Sequence, residues 1–387
     1  MSLFRRSRPV EDRALTRASV PGAMLPYAAG SGQPIAPDAA LRIADAYACI
    51  RALSDTAASL PLVAYARTAQ GGRERFDGRL ADLLERPSPG ATTANLVGTI
   101  VAHLNLFGNA YLGKYRDARG TVTQVAPLHP AAVTVKLDAG QPRYTRMGAE
   151  GVSEHGPEDI LHIRGLSVDG LVGLSPIAQA RQALGLSQAL ATHADAFARN
   201  SGRPGGILAI KEAAEAAEAL DFKQKFAEGF AGENSGRVMV LSGEGIAYQQ
   251  LALSMSDAEF VGQRQLSTAE IARVFRVPPW MIGAPSGDSL TYSNVEGQAQ
   301  AFVTFSLAPW LTLIEQAITA DADLSPRGVF AEFLLDGLLR ADTATRAAVY
   351  TAALDPATGW MTRAEVRARE NLPPEPGQTP NLGGTPA

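Results

Sequence analysis

The sequence is poor in the residues that most often carry chemistry, and each shortage closes a class of function. Among 387 residues there is one cysteine, Cys49, so no disulfide can form within the chain and a reducing compartment is its natural home. Cys49 sits in the apolar run Ala48-Cys49-Ile50 with no histidine near it in sequence, and reads as a small buried hydrophobe rather than a nucleophile. The five histidines, at 103, 129, 155, 162 and 193, include no i, i+4 pair and no neighbouring cysteine or carboxylate at ligand spacing, so no metal site is expected. His162 and His193 lie in apolar segments and read as core or interface residues. Carboxylate pairs such as Glu158 and Asp159 are adjacent in a turn and point apart, so no general acid is set against a base. No catalytic residue and no cofactor is expected.

Long apolar runs are equally scarce. No stretch of about 18 uncharged apolar residues occurs, so no membrane-spanning helix is expected. The opening MSLFRRSRP is basic but lacks the apolar region of a secretion signal, which places the chain in the cytosol or in an assembly built there. Charge of one sign is not in excess either. Lys and Arg number 35 against 39 Asp and Glu, a net charge of -4, so nothing global attracts a polyanion, and a protein that reads DNA sequence would be more basic.

Two fragments imitate catalytic motifs and fail. Gly108-Asn-Ala-Tyr-Leu-Gly113-Lys114-Tyr115 begins like a phosphate-binding loop, but Tyr115 stands where Ser or Thr must hold magnesium, and the alternation reads as a strand. Gly185-Leu-Ser187-Gln-Ala189 lacks the last glycine of a nucleophile elbow and lies within a helical pattern.

What remains is a mixed α+β chain, long enough for two or three sub-domains. Residues 1–40 carry five arginines and then a Pro-, Gly- and Ala-rich stretch without periodicity, which reads as a mobile arm. Over residues 41–59, Ile43, Ala46, Tyr47, Ile50, Leu53 and Ala57 recur at helical steps, and Pro61 ends the run. Residues 62–66 read as a strand and 95–106 as a helix closed by Gly108; a small antiparallel β unit follows from Ala110, ending in the buried strand Ile160–Ile163. Ser175-Pro176 is an N-cap with proline at the first helical position, and opens a helix expected to run to Asn200, about 39 Å at 1.5 Å per residue. Next come a strand at Ile207–Ile210, an acidic helix over 211–233, and strands at Val238–Leu241 and Ala247–Leu253.

A second long helix starts at the capping box Ser256–Glu259 and stops at Val277-Pro278-Pro279. On it Phe260, Ser267, Ile271 and Val274 define one face, with Arg264 and Arg273 elsewhere on the cylinder; those arginines are expected to pair with Glu259, Glu270 or a neighbouring subunit more readily than with DNA. A polar loop, Ala284 to Ser293, precedes the capping box Ser293–Glu296 and a helix toward Ile318, in which Pro309 must introduce a kink or a break. A strand at Val329–Leu334, helices at 339–354 and 362–370, and a Pro-rich tail complete the chain.

The order of these segments resembles that of the portal proteins of long-tailed phages and of prophage-derived gene transfer agents, over roughly residues 40 to 375. The resemblance rests on Cys49-Ile-Arg-Ala-Leu-Ser with Ala58-Ser-Leu-Pro61, Leu106-Phe-Gly-Asn-Ala-Tyr111, Leu128-His-Pro130 and Ile160-Leu-His-Ile163. It continues through Asp169-Gly-Leu-Val-Gly-Leu-Ser-Pro176, Pro204-Gly-Gly-Ile-Leu208 and Ile271-Ala-Arg-Val-Phe-Arg-Val-Pro-Pro279, then Tyr292-Ser-Asn-Val-Glu296, Pro309-Trp310 and Leu339-Arg-Ala-Asp342. What it implies is a portal fold: a wing over 41–174, a two-helix stem at 175–202 and 256–280, and a small α/β clip at 203–255. A tunnel loop at 281–293, a kinked helix and wing return over 294–338, a reduced crown at 339–372 and a disordered tail at 373–387 would complete it.

The resemblance also implies an oligomeric ring, usually of twelve, in a virion or gene transfer agent particle, with no membrane involved. Its expected partners are double-stranded DNA, bound without sequence preference, the terminase large subunit, the major capsid protein and head-completion or adaptor proteins. Ser286, Asp288, Ser289, Thr291 and Tyr292 of the tunnel loop would face DNA, Arg264 and Arg273 are candidates for the lumen, and Glu215, Glu218, Lys223 and Glu244 of the clip would meet partners. The alternatives are another capsid or connector protein, or an α+β enzyme with a site near Gly165–Ser175, where Asp169 and Ser175 lie without a partner base.

Overall fold

The computed structural model describes residues 37–69, 71–148, 151–199, 206–210, 246–250, 257–284, 292–335, 343–356 and 358–369. The chain divides into two compact units, Met1–Phe333 and Leu334–Ala387. In order, the first unit begins with α1 (Pro37–Ala40), α2 (Ala44–Ala58), β1 (Leu62–Arg67), β2 (Arg73–Arg75), α3 (Arg79–Glu85) and α4 (Thr93–Phe107). It continues through β3 (Asn109–Arg116), β4 (Val122–Leu128), β5 (Val133–Asp138), β6 (Gln141–Gly148), β7 (Gly151–His155) and β8 (Ile160–Arg164). Then come α5 (Pro176–Gln179), α6 (Arg181–Arg199), β9 (Gly206–Ile210), β10 (Ile246–Gln250), α7 (Asp257–Phe275), α8 (Tyr292–Ala301), α9 (Ala308–Ala320) and β11 (Val329–Phe333). The mixture of helices and open antiparallel sheets is α+β, as the sequence indicates.

The core forms where apolar periodicities meet. Helix α2 buries Ala46, Cys49, Ile50, Leu53 and Ala57, and packs on α4, which buries Leu96, Val97, Ile100, Val101 and Leu104. Each fully buried Leu or Ile contributes about 1.5–3 kcal/mol relative to exposure. Tyr47, expected on this face, is instead half exposed. Thr92 caps α4 reciprocally with Asn95, and Gly108 ends it in the left-handed conformation, φ 74°.

Strand β1 lies between β11 and β2, and its register Leu62↔Phe333 to Ala66↔Val329 joins the two ends of the unit. The expected single β unit is two three-stranded sheets, β4-β3-β8 and β5-β6-β7, sharing a core of Tyr111, Leu128, Val133, Val135, Tyr144 and Ile160. The short strand β2, Arg-Glu-Arg and fully exposed, carries no apolar alternation and was invisible to pattern reading.

Two expectations about helices are corrected. The helix opened by Ser175 is interrupted at buried Ala180 (φ -78°, ψ 3°), so α6 holds 19 residues, about 28 Å, rather than a single rod from residue 175 to 200. No helix-breaking residue marks that point. At Pro309, where a kink or a break is expected, no break occurs. Residues 292–320 are continuously helical, because a wide π turn over Phe302–Leu307 immediately precedes the proline and accommodates a residue without an amide hydrogen.

Within this run Gly297–Ala320 is long and apolar enough, by composition alone, to cross a membrane, which the sequence reading did not expect. Here α9 packs on β8 and β11 and buries Leu311, Ile314 and Ile318, as expected of a core helix.

A buried ionic cluster ties β3 to the turn after α9. Lys114 Nζ lies 2.8 Å from Asp321 and 3.0 Å from Asp323, and Arg116 lies 2.8 Å from Asp323. Arg116, then Lys114, pull the Asp323 carboxyl down to about 2. The residue that imitated a phosphate-loop lysine is thus enclosed, its side chain only 2% exposed.

The second unit holds α10 (Thr343–Ala353) and α11 (Arg363–Arg369), the latter opened by a capping box of Thr362 with Glu365. The arm at 1–36, most of 203–255, the loop at 285–291, and the ends 336–342 and 370–387 lie outside the described residues.

Lys114→Met leaves Asp321 buried without its cation and should cost about 3–5 kcal/mol in urea unfolding. The double variant Lys114→Met/Asp321→Leu should recover part of that loss; equal or greater loss in the double variant would contradict the ion-pair assignment.

Candidate functional site

The site most constrained by the sequence is the junction where the chain leaves the sheets and enters α5. At Gly108 the backbone of β3 meets the loop from Gly165 to Leu174 so closely that a Cβ on Gly108 would fall 2.2 Å from the carbonyl oxygen of Leu174. A Cβ on Gly173 would fall 2.0 Å from the carbonyl oxygen of Gly108. Only glycine fits either place, and the amide of Gly165 donates to Gly108 O at 2.8 Å.

Asn109, buried beside this contact, satisfies both sides of it. Its Nδ2 donates to Phe107 O (3.0 Å) and Gly173 O (2.9 Å), while its Oδ1 accepts from Gly173 N (2.7 Å). His162 Nε2 lies 3.0 Å from the same Oδ1, so Nε2 must carry the proton. Burial, then Arg164, push the His162 imidazole down to about 3. It stacks 4.4 Å from the Tyr111 ring, and burial raises the phenols of both Tyr111 and Tyr144. His162 is therefore a satisfied histidine in the sheet.

The loop beyond is fixed by its own short hydrogen bonds. Asp169 Oδ1 accepts from Ser167 Oγ (3.0 Å), Leu171 N (2.8 Å) and Val172 N (3.0 Å). Partial burial opposes ionisation of this carboxyl, but the bonds from Val172, Leu171 and Ser167 win and hold it below the usual range. Ser175 Oγ donates to Leu106 O (2.6 Å) and accepts from Ala178 N (3.2 Å), capping α5. Asp169 and Ser175 are thus spent on structure, and no base takes the Ser175 proton. The enzyme alternative loses its two candidate groups.

From this junction α6 runs out to β9, β10 pairs antiparallel with β9, and α7 returns. Helices α6 and α7 pack on one another. Near its C-terminus α7 is anchored: Thr268 Oγ1 donates to Asp45 (2.8 Å), Ile271, Ala272 and Phe275 are buried, and Val277 N donates to Ala272 O (2.9 Å). Ser306 Oγ, from the π turn, donates to the carbonyl of Arg276, a non-glycine residue at φ 57°. Farther out, Gly262–Leu266 are all exposed, and Leu186 and Leu266 are 45% and 57% exposed. Val274, expected on the packed face, is also partly exposed.

Arg264 and Arg273 are both exposed. They stand nine residues apart, about two and a half helical turns, so they project to opposite sides and cannot line the same surface. Of the partners expected for these arginines, Glu270 makes no ion pair with either among the described residues, and the side chain of Glu259 lies outside them. Tyr292 opens α8, one residue before the expected cap. Ser286, Asp288, Ser289 and Thr291, the clip residues Glu215, Glu218, Lys223 and Glu244, and the side chain of His193 lie outside the described residues.

Two histidine contacts escaped the sequence reading: His103 and His129 rings lie 6.0 Å apart, and His155 Nδ1 lies 3.3 Å from Asp159. Burial, then His129, push His103 down to about 4. No group of three or more His, Cys, Asp or Glu among the described residues is arranged to hold a metal.

Comparison with known proteins agrees with this architecture. A family model described as phage portal protein matches residues 44–371. The chain is 29% identical over 345 residues to the portal protein of Enterobacteria phage HK97, covering 87% of this chain and 80% of that one. It is 29% identical over 362 residues to a probable portal protein of Streptomyces phage phiC31, covering 90% and 78%. Among solved structures, a chain from the neck of a native gene transfer agent particle, computed with C12 symmetry, superposes with TM-score 0.61 at 23% identity, over 89% of this chain and 97% of that one.

His162 resists protonation in the folded state, so its contribution to stability is complete above the unfolded value near 6.5 and is lost as pH falls from there toward 3. Urea unfolding should show a loss of about 2 kcal/mol from this group between pH 7 and pH 5. His162→Gln, which can keep the bond to Asn109, should remove that part of the slope; an unchanged slope would contradict the assignment.

Proposed function

The chain belongs to the phage portal protein family, and from that premise we propose that it is one subunit of a closed twelvefold ring at a vertex of a phage or gene transfer agent particle. Double-stranded DNA passes through this ring on packaging and ejection, and the ring performs no catalysis. The observation that carries the reading is the pair α6 and α7: two helices packed on one another, bracketing β9 and β10, with apolar groups left bare at Leu186, Leu266 and Val274. Such exposed apolar groups on a helical arm suit a wall built from many copies. The C12 symmetry of the related neck supports the subunit number.

In this reading residues 41–174 form the wing, α5 to α7 the stem, 203–255 the clip and 281–293 the tunnel loop. The continuous helix over 292–320 returns the chain to the wing, and 339–372 form the crown. The clip is the platform for the terminase large subunit and later for head-completion and adaptor proteins, with Glu215, Glu218, Lys223 and Glu244 on its surface; the wing meets the major capsid protein. Assembly takes place in the bacterial cytoplasm.

The electrostatics suit a conduit. Each phosphate neutralised by Lys or Arg adds affinity and slows sliding, so a channel that passes DNA needs few such contacts and no reading of bases. A net charge of -4 and a loop in which Asp288 is the sole charged residue between Ala284 and Ser293 meet that need. Because Arg264 and Arg273 project oppositely, at most one of them faces the bore.

Deleting Ser286–Thr291 tests the conduit. Rings and capsids should still assemble, while DNA retained per particle falls about tenfold for want of contacts that hold the duplex in place. Unaltered packaging and retention would remove the loop from the channel.

A further inference from the structure

The outer face of the sheet β11-β1-β2 carries positive charge that the fold leaves uncompensated. Alternation sends Leu62, Ala64, Ala331 and Phe333 into the core and turns Tyr65, Arg67, Arg73, Arg75, Phe330 and Glu332 to the other side. Arg67 stands directly opposite Arg73, and Arg75 opposite Tyr65. All three arginines are exposed, and like charges placed face to face on a ladder destabilise it. Glu332 is the one carboxylate among these six residues, and it bonds Arg73. Arg67 and Arg75 make no ion pair among the described residues.

Two aromatic rings hold the cations in place. Tyr65 and Phe330 stack at 5.9 Å, Arg67 lies over Phe330 at 5.5 Å, and Arg73 lies over Tyr65 at 4.8 Å. A guanidinium lodged over a ring keeps its N–H groups for an anion, and less side-chain freedom remains to be lost when that anion binds.

The same geometry decides which anion fits. The ring faces are already occupied, by each other and by guanidinium groups, so a nucleobase finds nothing to stack on. Arg73 and Arg75 sit two residues apart on one strand, about 6.6 Å, which is also the spacing of alternate side chains on a second extended chain. Strand β2 is outermost in its sheet, and among the described residues no strand pairs with its far side. A second copy of this edge would set arginine against arginine, so the charge that blocks self-pairing selects an acidic strand. We propose that β2 receives an extended acidic segment of a partner protein, with Asp or Glu at alternate positions facing Arg73 and Arg75. Arg67, on the adjoining strand, adds to the attraction.

Fluorescence anisotropy on the full chain at low ionic strength tests this. The probes are a labelled peptide alternating Glu with Thr, one alternating Lys with Thr, and an oligothymidylate of the same charge as the first. The acidic peptide should bind. Arg67→Glu/Arg75→Glu, at two exposed positions, should hold it about tenfold more weakly and should gain affinity for the Lys peptide. Arg75→Glu alone, at a side chain with no ion pair to lose, replaces the double variant if that one does not fold.

No binding of the acidic peptide by the wild type, or binding that the substitutions leave unchanged, would overturn the assignment. An oligothymidylate held as tightly as the acidic peptide and released by the same substitutions would also overturn it, in favour of a nucleic-acid surface. In the wild type itself, the acidic peptide carrying a photo-cross-linker should attach within residues 62–76; attachment only elsewhere would contradict the proposal. None of these results bears on ring closure.

Discussion

The close backbone contact between Gly108 and Gly173, bridged by the Asn109 carboxamide, is the constraint on which the rest of the structure depends. It joins the end of α4, the start of β3 and the loop into α5 at distances that admit no side chain. The direction in which α5 and α6 leave the sheets is decided there. Ser175, bonded back to Leu106 while capping α5, transmits that direction to the helix. A protein that must repeat one interface many times around an axis needs such a joint. A small angular error in each subunit, repeated around a ring, would prevent closure.

Around the joint the molecule divides its apolar surface in two. One part is spent within the chain, in the α2 and α4 packing, the shared core of the two small sheets, and the stripe of α9 over β8 and β11. The other is left in water, on α6, on α7 and on the loop after β8. The polar groups follow the same division. Lys114, Asp321 and Asp323 neutralise one another inside, whereas Arg264 and Arg273, on opposite sides of α7, make no ion pair among the described residues. The buried pairs fix the position of β3.

Local periodicity made α2, α4, β1, β8 and β11 legible from the sequence, because in each the burial pattern follows the apolar pattern. The Ser175 cap and the Pro278 stop were legible for the same reason: both are backbone chemistry written in one or two residues. What escaped depended on contacts between distant segments. Nothing in Gln179-Ala180-Arg181 announces the break before α6, and β2 has no apolar face to detect. Pro309 was correctly read as incompatible with a regular α-helix, yet a π turn absorbs it without a break. Asp169 stands out only as a candidate group without a base, while its role is local, tying the loop through Ser167, Leu171 and Val172. The importance of Asn109 comes from Gly173, 64 residues away, although the run Gly108-Asn109 after a helix is a visible hint.

In the proposed ring, α6 and α7 from many copies form the wall of a closed pore. Electron cryomicroscopy of the purified chain, at a resolution that separates helices, measures this directly. The expected result is a closed ring with this helix pair from each subunit surrounding a bore wide enough for duplex DNA. A stable monomer at high concentration, or a ring in which these helices lie on the outer rim, would contradict it.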